Sequence, residues 1–141
     1  MDWHDWAEYI KEDFEKGDIE KARQHRSQTR SWCPYGSNDF FYWADKRRSK
    51  SWKNWVKLAE QIFEEYPCGT FTAKDLNCNG NRLSSARFWI GARLLQTEPY
   101  NIYEANLPLM YIVFEFSPLS EKIEKYYLDK LEKKGLVIQP Y

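Results

Sequence analysis

From residue 51 onward, helix, turn and strand signals follow one another in a fixed order, and that order restricts the available folds more than any bulk property. Ser51 is suited to cap a helix, and Trp52, Val56, Ala59, Phe63 and Tyr66 keep a helical register with Trp55 and Ile62 beside them. Pro67 and Gly69 stop that helix. Thr70, Phe71 and Thr72 read as a short extended entry, after which Thr72 caps a helix through Ala73, Lys74, Asp75 and Leu76. The run Asn77-Cys78-Asn79-Gly80-Asn81 is turn chemistry, because Asn and Gly tolerate positive φ. A third helix is predicted over about 82–96. Residues 99–116 then read as a hairpin: a weakly alternating arm to Ala105, a turn at Asn106-Leu107-Pro108, and an unusually apolar strand from Met110 to Phe116. Ser117 or Ser120 caps a last helix to about Lys134, with Ile123, Tyr127 and Leu131 on one face. Gly135 closes that helix, and Leu136-Val137-Ile138 adds a strand.

The first fifty residues form a helical extension. Trp3, Trp6, Ile10 and Phe14 recur at spacings of three and four, so they share one helix face. Gly17 ends this helix and Asp18 caps the next, about 18–30, which is polar apart from Ile19 and Ala22. Such a helix is either exposed or packed against a charged partner. Residues 31–38, with Pro34 and Gly36, read as a loop, and Phe40-Phe41-Tyr42-Trp43 begins a short aromatic helix.

The chain has equal numbers of cationic and anionic residues, 21 of each, but they are segregated along it. Residues 1–20 carry eight carboxylates against Lys11 and Lys16, a net of −6. Residues 21–57 carry ten cations against Asp39 and Asp45, a net of +8. This asymmetry points to a polyanionic partner or to acid–base pairing inside the molecule.

Seven Trp, ten Tyr and eight Phe argue against disorder and imply a core built largely of rings. No apolar run reaches the length of a membrane span, and the acidic N-terminus lacks the basic start and apolar centre of a secretory signal. A cytoplasmic protein is expected. Cys33, Cys68 and Cys78 include no close pair and stand at no ligand spacing with His4 or His25, so free thiols are expected and no metal or other cofactor. There is no phosphate loop and no nucleophile motif, and both histidines lie in the first quarter of the chain. A non-enzymatic protein is therefore expected.

The order helix, strand, helix, turn, helix, hairpin, helix resembles the winged helix-turn-helix family of DNA-binding proteins. It does so through Gly69 to Leu76, the turn through Asn81, the run Leu83 to Leu95, and the exit Val113 to Ser120. The resemblance covers about residues 51–138. It implies a mainly α fold with a small hairpin (α+β), in which residues 51–141 form the winged helix-turn-helix domain and residues 1–50 its extension. It further implies a transcription regulator of double-stranded DNA whose 82–96 helix enters the major groove and whose 99–116 hairpin is the wing. Two-fold symmetry in a homodimer would match a palindromic site, with Trp3, Trp6, Ile10, Phe14, Tyr126 and Tyr127 available to cover one another.

On that helix Leu83, Ala86, Ile90 and Leu94 share one face, and Arg82, Ser85, Trp89 and Arg93 fall opposite or beside it. Arg82 and Arg93 are candidate readers of base edges. Asn81, Ser84, Ser85, Thr72, Lys74 and Trp89 complete the candidate DNA surface. Arg87 is open to two readings, a DNA contact or a structural ion pair with Asp75. Lys46, Arg47, Arg48, Lys50 and Lys53, interleaved with Trp43, Trp52 and Trp55, are candidate phosphate contacts. The acidic first helix either recruits a protein partner or folds over the basic stretch. Two rival readings stand beside DNA binding. One is a protein-interaction module or inhibitor on the same fold, which the zero net charge suits. The other is single-stranded nucleic-acid binding through exposed rings.

Overall fold

The structure, a computed structural model, describes residues 3–29, 50–80, 83, 84, 87, 90–97, 101–115 and 117–135. Among these residues it is a mixed α/β fold of five helices and one three-stranded antiparallel sheet. The elements are α1 (Trp3–Glu15), α2 (Ile19–Ser27), α3 (Lys50–Glu65), β1 (Thr70–Phe71), β2 (Ala92–Gln96), β3 (Ile102–Ala105), α4 (Leu107–Val113) and α5 (Leu119–Lys133). No helix among the described residues is long and apolar enough to cross a membrane.

The α1–α2 corner follows its sequence signals. Gly17 has φ +75°, and the Asp18 N–H reaches back to the Asp13 carbonyl at 2.9 Å. The Asp18 carboxylate then accepts from the Lys21 N–H at 3.1 Å and caps α2. Of the α1 stripe, Ile10 and Phe14 are fully buried and Trp6 is half-buried. Helix α3 carries its register as expected, with Ala59 and Ile62 at the centre of the buried face and Val56, Phe63 and Tyr66 flanking it. It includes Lys50, so Ser51 lies inside the helix and does not cap it.

Two predicted elements are corrected. The helix predicted over 82–96 does not reach its end, because Ala92–Gln96 is strand β2. Gly80, Leu83 and Ser84 have helical backbone, and the Leu83 N–H donates to the Asn79 carbonyl at 3.0 Å. The chain then turns at Gly91, φ +67°, where the Ala92 N–H donates to the Arg87 carbonyl at 2.8 Å. That closure, with glycine in the left-handed region, turns the chain so that the next residues pair in a sheet. The predicted 99–116 wing is displaced in the same direction. Its first arm is β3, but the run from Met110, predicted as a strand, lies in α4. Asn106 and Pro108 are not a hairpin turn: Asn106 Oδ1 accepts from the Leu109 N–H at 3.1 Å as a cap, and Pro108 sits in the first helical turn. All seven residues of α4 are buried. The last helix also starts differently, with Pro118 at its N-cap position and no side-chain cap from Ser117 or Ser120.

The sheet order is β1-β3-β2. Phe71, Tyr103 and Leu94 lie in one cross-strand row, and Thr70, Glu104 and Arg93 in the next. Side chains alternate along a strand, so the two rows face opposite sides. The Phe71 ring is stacked on Tyr103 at 6.0 Å and meets Tyr66 of α3 at 5.5 Å, so the first row faces α3. On the other side of the molecule Phe14 lies edge-on to Tyr111 at 5.0 Å and stacked on Tyr127 at 4.5 Å. Tyr127 meets Tyr126, which meets Phe63 of α3 at 5.8 Å. A continuous chain of rings thus joins α4, α1, α5 and α3, and both ends of the sequence share one core. The predicted 31–38 loop, the aromatic helix from Phe40 and the strand at Leu136-Val137-Ile138 lie outside the described residues.

Candidate nucleic-acid interface

The turn that leads into the Asn79–Gly91 segment is tightly built. The Thr72 N–H donates to Asp75 Oδ2 at 2.9 Å while the Asp75 N–H donates to Thr72 Oγ1 at 3.3 Å. This reciprocal cap holds one turn of backbone, with Asn77 at φ +56° ending it. Asn is among the few non-glycine residues that accept that conformation. Thr72 is therefore occupied in the fold, whereas Lys74 beside it is exposed. A cleft runs between α3 and this turn, lined among others by Trp55, Lys57, Leu76, Asn77 and Leu83.

Arg87 matches neither reading in its simple form. It is exposed, and its Nη1 donates to the Ser84 carbonyl at 2.7 Å, while Asp75 is engaged by Thr72. Ser84 is half-buried and offers that carbonyl. Lys53 is exposed on α3, and Lys50 is the helix's first residue. Asn81, Arg82, Ser85, Trp89, Lys46, Arg47 and Arg48 lie outside the described residues.

Arg93 is a correction. It sits on β2, opposite Glu104 of β3, and lines a cleft with Lys11 of α1, Cys68 and Lys130 of α5. It does not share a helical face with Arg87. The reason is again the stop at Gly91, two residues before it.

The basic excess of residues 21–57 is partly neutralised inside the molecule. Arg23 of α2 donates through Nε and Nη2 to the two carboxylate oxygens of Glu124, each at 2.9 Å. Tyr111 donates to the same carboxylate. Burial alone would raise the Glu124 carboxyl, but the hydrogen bonds from Arg23 and Tyr111 outweigh it and hold the group below its ordinary range. Burial and this acceptor both push the Tyr111 hydroxyl above its ordinary value. Arg26 lies 4.1 Å over the Tyr111 ring, donates to Ser120, and stands 3.8 Å from Glu115. His25 Nδ1 meets Asp13 Oδ2 at 2.6 Å, with the Trp6 and Tyr9 rings each 5.7 Å away. The polar α2 therefore lies against a charged partner within the chain. Sequence signals could place the helix, but Arg23 and Glu124 are 101 residues apart and no local pattern links them.

Of the apolar side chains named for a homodimer, Ile10 and Phe14 are inaccessible in the core, and Tyr127 is stacked on Phe14. Among the described residues no group of three His, Cys, Asp or Glu could hold a metal ion. Cys68 is an exposed free thiol, Cys78 is half-buried, and Cys33 lies outside the described residues. Comparison with protein-family models, curated proteins and solved structures finds no match for this chain.

Proposed function

We propose that this protein is a winged helix-turn-helix regulator that binds duplex DNA, with the segment between Asn79 and Gly91 in the major groove and the β2–β3 hairpin as its wing. The observation that carries the reading is the order of elements around the sheet. Helix α3, strand β1, the capped turn at Thr72, a segment closed at Gly91 and an antiparallel hairpin follow one another. β3 lies between β1 and β2, so the hairpin pairs with the strand that precedes the capped turn. The wing is residues 92–105 in place of 99–116. Arg87 and Lys74 are exposed, and with Lys53 of α3 they supply cations for phosphates. Arg82 and Ser85 belong to the same stretch of sequence and are the proposed base readers. Lys46, Arg47 and Arg48, which precede α3 in the sequence, and Lys50 at its first position add phosphate contacts.

The test is fluorescence anisotropy of the full chain on a labelled random duplex across a salt series. Affinity falls linearly with salt on logarithmic axes. Arg87→Ala lowers the slope by about one, the loss of one phosphate contact. Arg82→Ala costs about 1–3 kcal/mol on a preferred sequence. Arg93→Ala, on the strand, leaves both affinity and slope unchanged. Absence of binding at low salt sinks the proposal and favours a protein-interaction module on this fold.

A further inference from the structure

The cleft between α3 and the turn at residues 72–79 holds about 540 Å³, a volume in the range of small-molecule sites. On its α3 side Asn54, Leu58 and Gln61 follow at spacings of four and three, so they share one helix face, with Trp55 and Lys57 beside them. Across the cleft stand Leu76, Asn77 and Asn79, and Leu83 follows them in the chain. Leu76 and Leu83 are buried and Trp55 is half-buried, so these three give the cleft an apolar backing. Asn54, Lys57, Asn77 and Asn79 are exposed and give it a polar rim.

The chemistry of this lining narrows what fits. Among the described residues that line the cleft Lys57 is the one cation and there is no carboxylate, so a cationic ligand finds no counter-charge. Four carboxamides, on Asn54, Gln61, Asn77 and Asn79, each carry a donor and an acceptor side by side. That pairing matches the edge of a nucleobase, and Asn and Gln read adenine in this way. Gln61 Nε2 donates to Glu65 at 3.4 Å, which leaves its carbonyl oxygen to accept. A wholly apolar ligand would displace water from these amides without replacing its hydrogen bonds. The Trp55 indole offers a flat face for a base, and the Lys57 ammonium a point charge for a phosphate. A purine presents two hydrogen-bonding edges, which suits carboxamides on both walls.

We propose that this cleft is a binding site for a free purine nucleoside monophosphate. The base lies against Trp55 with its edges on the carboxamides, and the phosphate meets Lys57. One cation in the cleft matches one phosphate, whereas a strand of nucleic acid calls for a row of them. The ligand bridges α3 and the turn, two parts of the fold that meet across the cleft. The assignment is separate from the duplex-binding surface and stands whether or not the chain binds DNA.

The experiment is calorimetric titration of the full chain with adenosine monophosphate, adenosine and inorganic phosphate at one ionic strength. The nucleotide binds once per chain and raises the melting temperature. Adenosine binds about tenfold more weakly, the order expected from losing one charge-assisted contact, and phosphate alone does not bind. Lys57→Gln brings the nucleotide down to the affinity of adenosine and leaves adenosine unchanged. Asn54→Leu weakens both by about tenfold. Both side chains are exposed, so these variants melt like the wild type when unliganded. Trp55→Phe keeps a ring and most of the affinity, whereas Trp55→Leu loses about tenfold or more. A nucleotide that fails to bind, or that binds Lys57→Gln and Asn54→Leu as tightly as the wild type, overturns the site. A single-stranded oligo(dA) that binds where the free nucleotide does not overturns the ligand.

Discussion

Gly91→Ala lowers the stability of the protein by about 3–5 kcal/mol, read as a fall in the denaturation midpoint at unchanged denaturant dependence. Two causes add. The backbone at Gly91 has φ +67°, which an L side chain adopts only at a cost of about 1 kcal/mol or more. A Cβ placed there also stands 2.9 Å from the Met110 Cα and from the Met110 nitrogen. Those atoms belong to the backbone of the buried helix α4, which cannot yield as a flexible side-chain tip would. The Asn106 N–H donates to the Gly91 carbonyl at 2.9 Å, so displacement of one residue disturbs the cap of α4 as well. Gly80 is the control. It has helical backbone and nothing within 4 Å of an added Cβ, so Gly80→Ala is neutral or stabilises by less than about 1 kcal/mol. Equal losses at the two glycines would refute the close approach.

Glu124→Ala is the second large effect, a loss of about 2–4 kcal/mol. Glu124 is 8 % exposed and accepts from Arg23 twice and from Tyr111 once. The Arg23 side chain is 51 % exposed and rehydrates when its partner is removed, so the larger share of the cost falls on the buried Tyr111 hydroxyl. A double-mutant cycle separates the two: Tyr111→Phe costs less in the Glu124→Ala background than in the wild type. The pH dependence follows from the direction of the carboxyl shift. A group held lower in the folded chain than in the unfolded one stabilises the fold above its ordinary value of 4.5, and that stabilisation is lost as pH falls through the lower folded value. Wild-type stability therefore drops more steeply in acid than that of Glu124→Gln. Parallel acid profiles for the two proteins would exclude the pairing as a source of stability.

The parts of the fold legible in the sequence are those where one local signal had no competitor. Gly17 followed by Asp18 defines the α1–α2 corner, and the spacing of Val56, Ala59 and Phe63 defines α3. Gly91 carried the same message as Gly17, yet the residues after it, Ala92-Arg93-Leu94-Leu95-Gln96, are strong helix formers. Pairing with β3 overrides that preference, as packing on a sheet often does. Helix α4 was hidden for the opposite reason. Tyr111, Ile112 and Val113 have the propensity of a strand, and a helix buried on every side shows no polar face to betray its period. At the candidate interface, the Thr72 cap was readable from local chemistry, whereas Arg87 was open to two readings and matches neither in its simple form. Placing Arg93 required the sheet register, which is a property of two strands at once.

Phe14 lies between Tyr111 and Tyr127 as a filling between two slabs, and α1 rests along α4. Stripping the first fifteen residues away, by proteolysis or by a competing protein, would leave wet the rings that α4 and α5 now present to Phe14. Because α4 also anchors the Gly91 corner through Asn106, that exposure would be felt at the base of the hairpin, far from α1 along the chain. Helix α1 is thus a keystone, and tampering with it is a mechanical route to the hairpin.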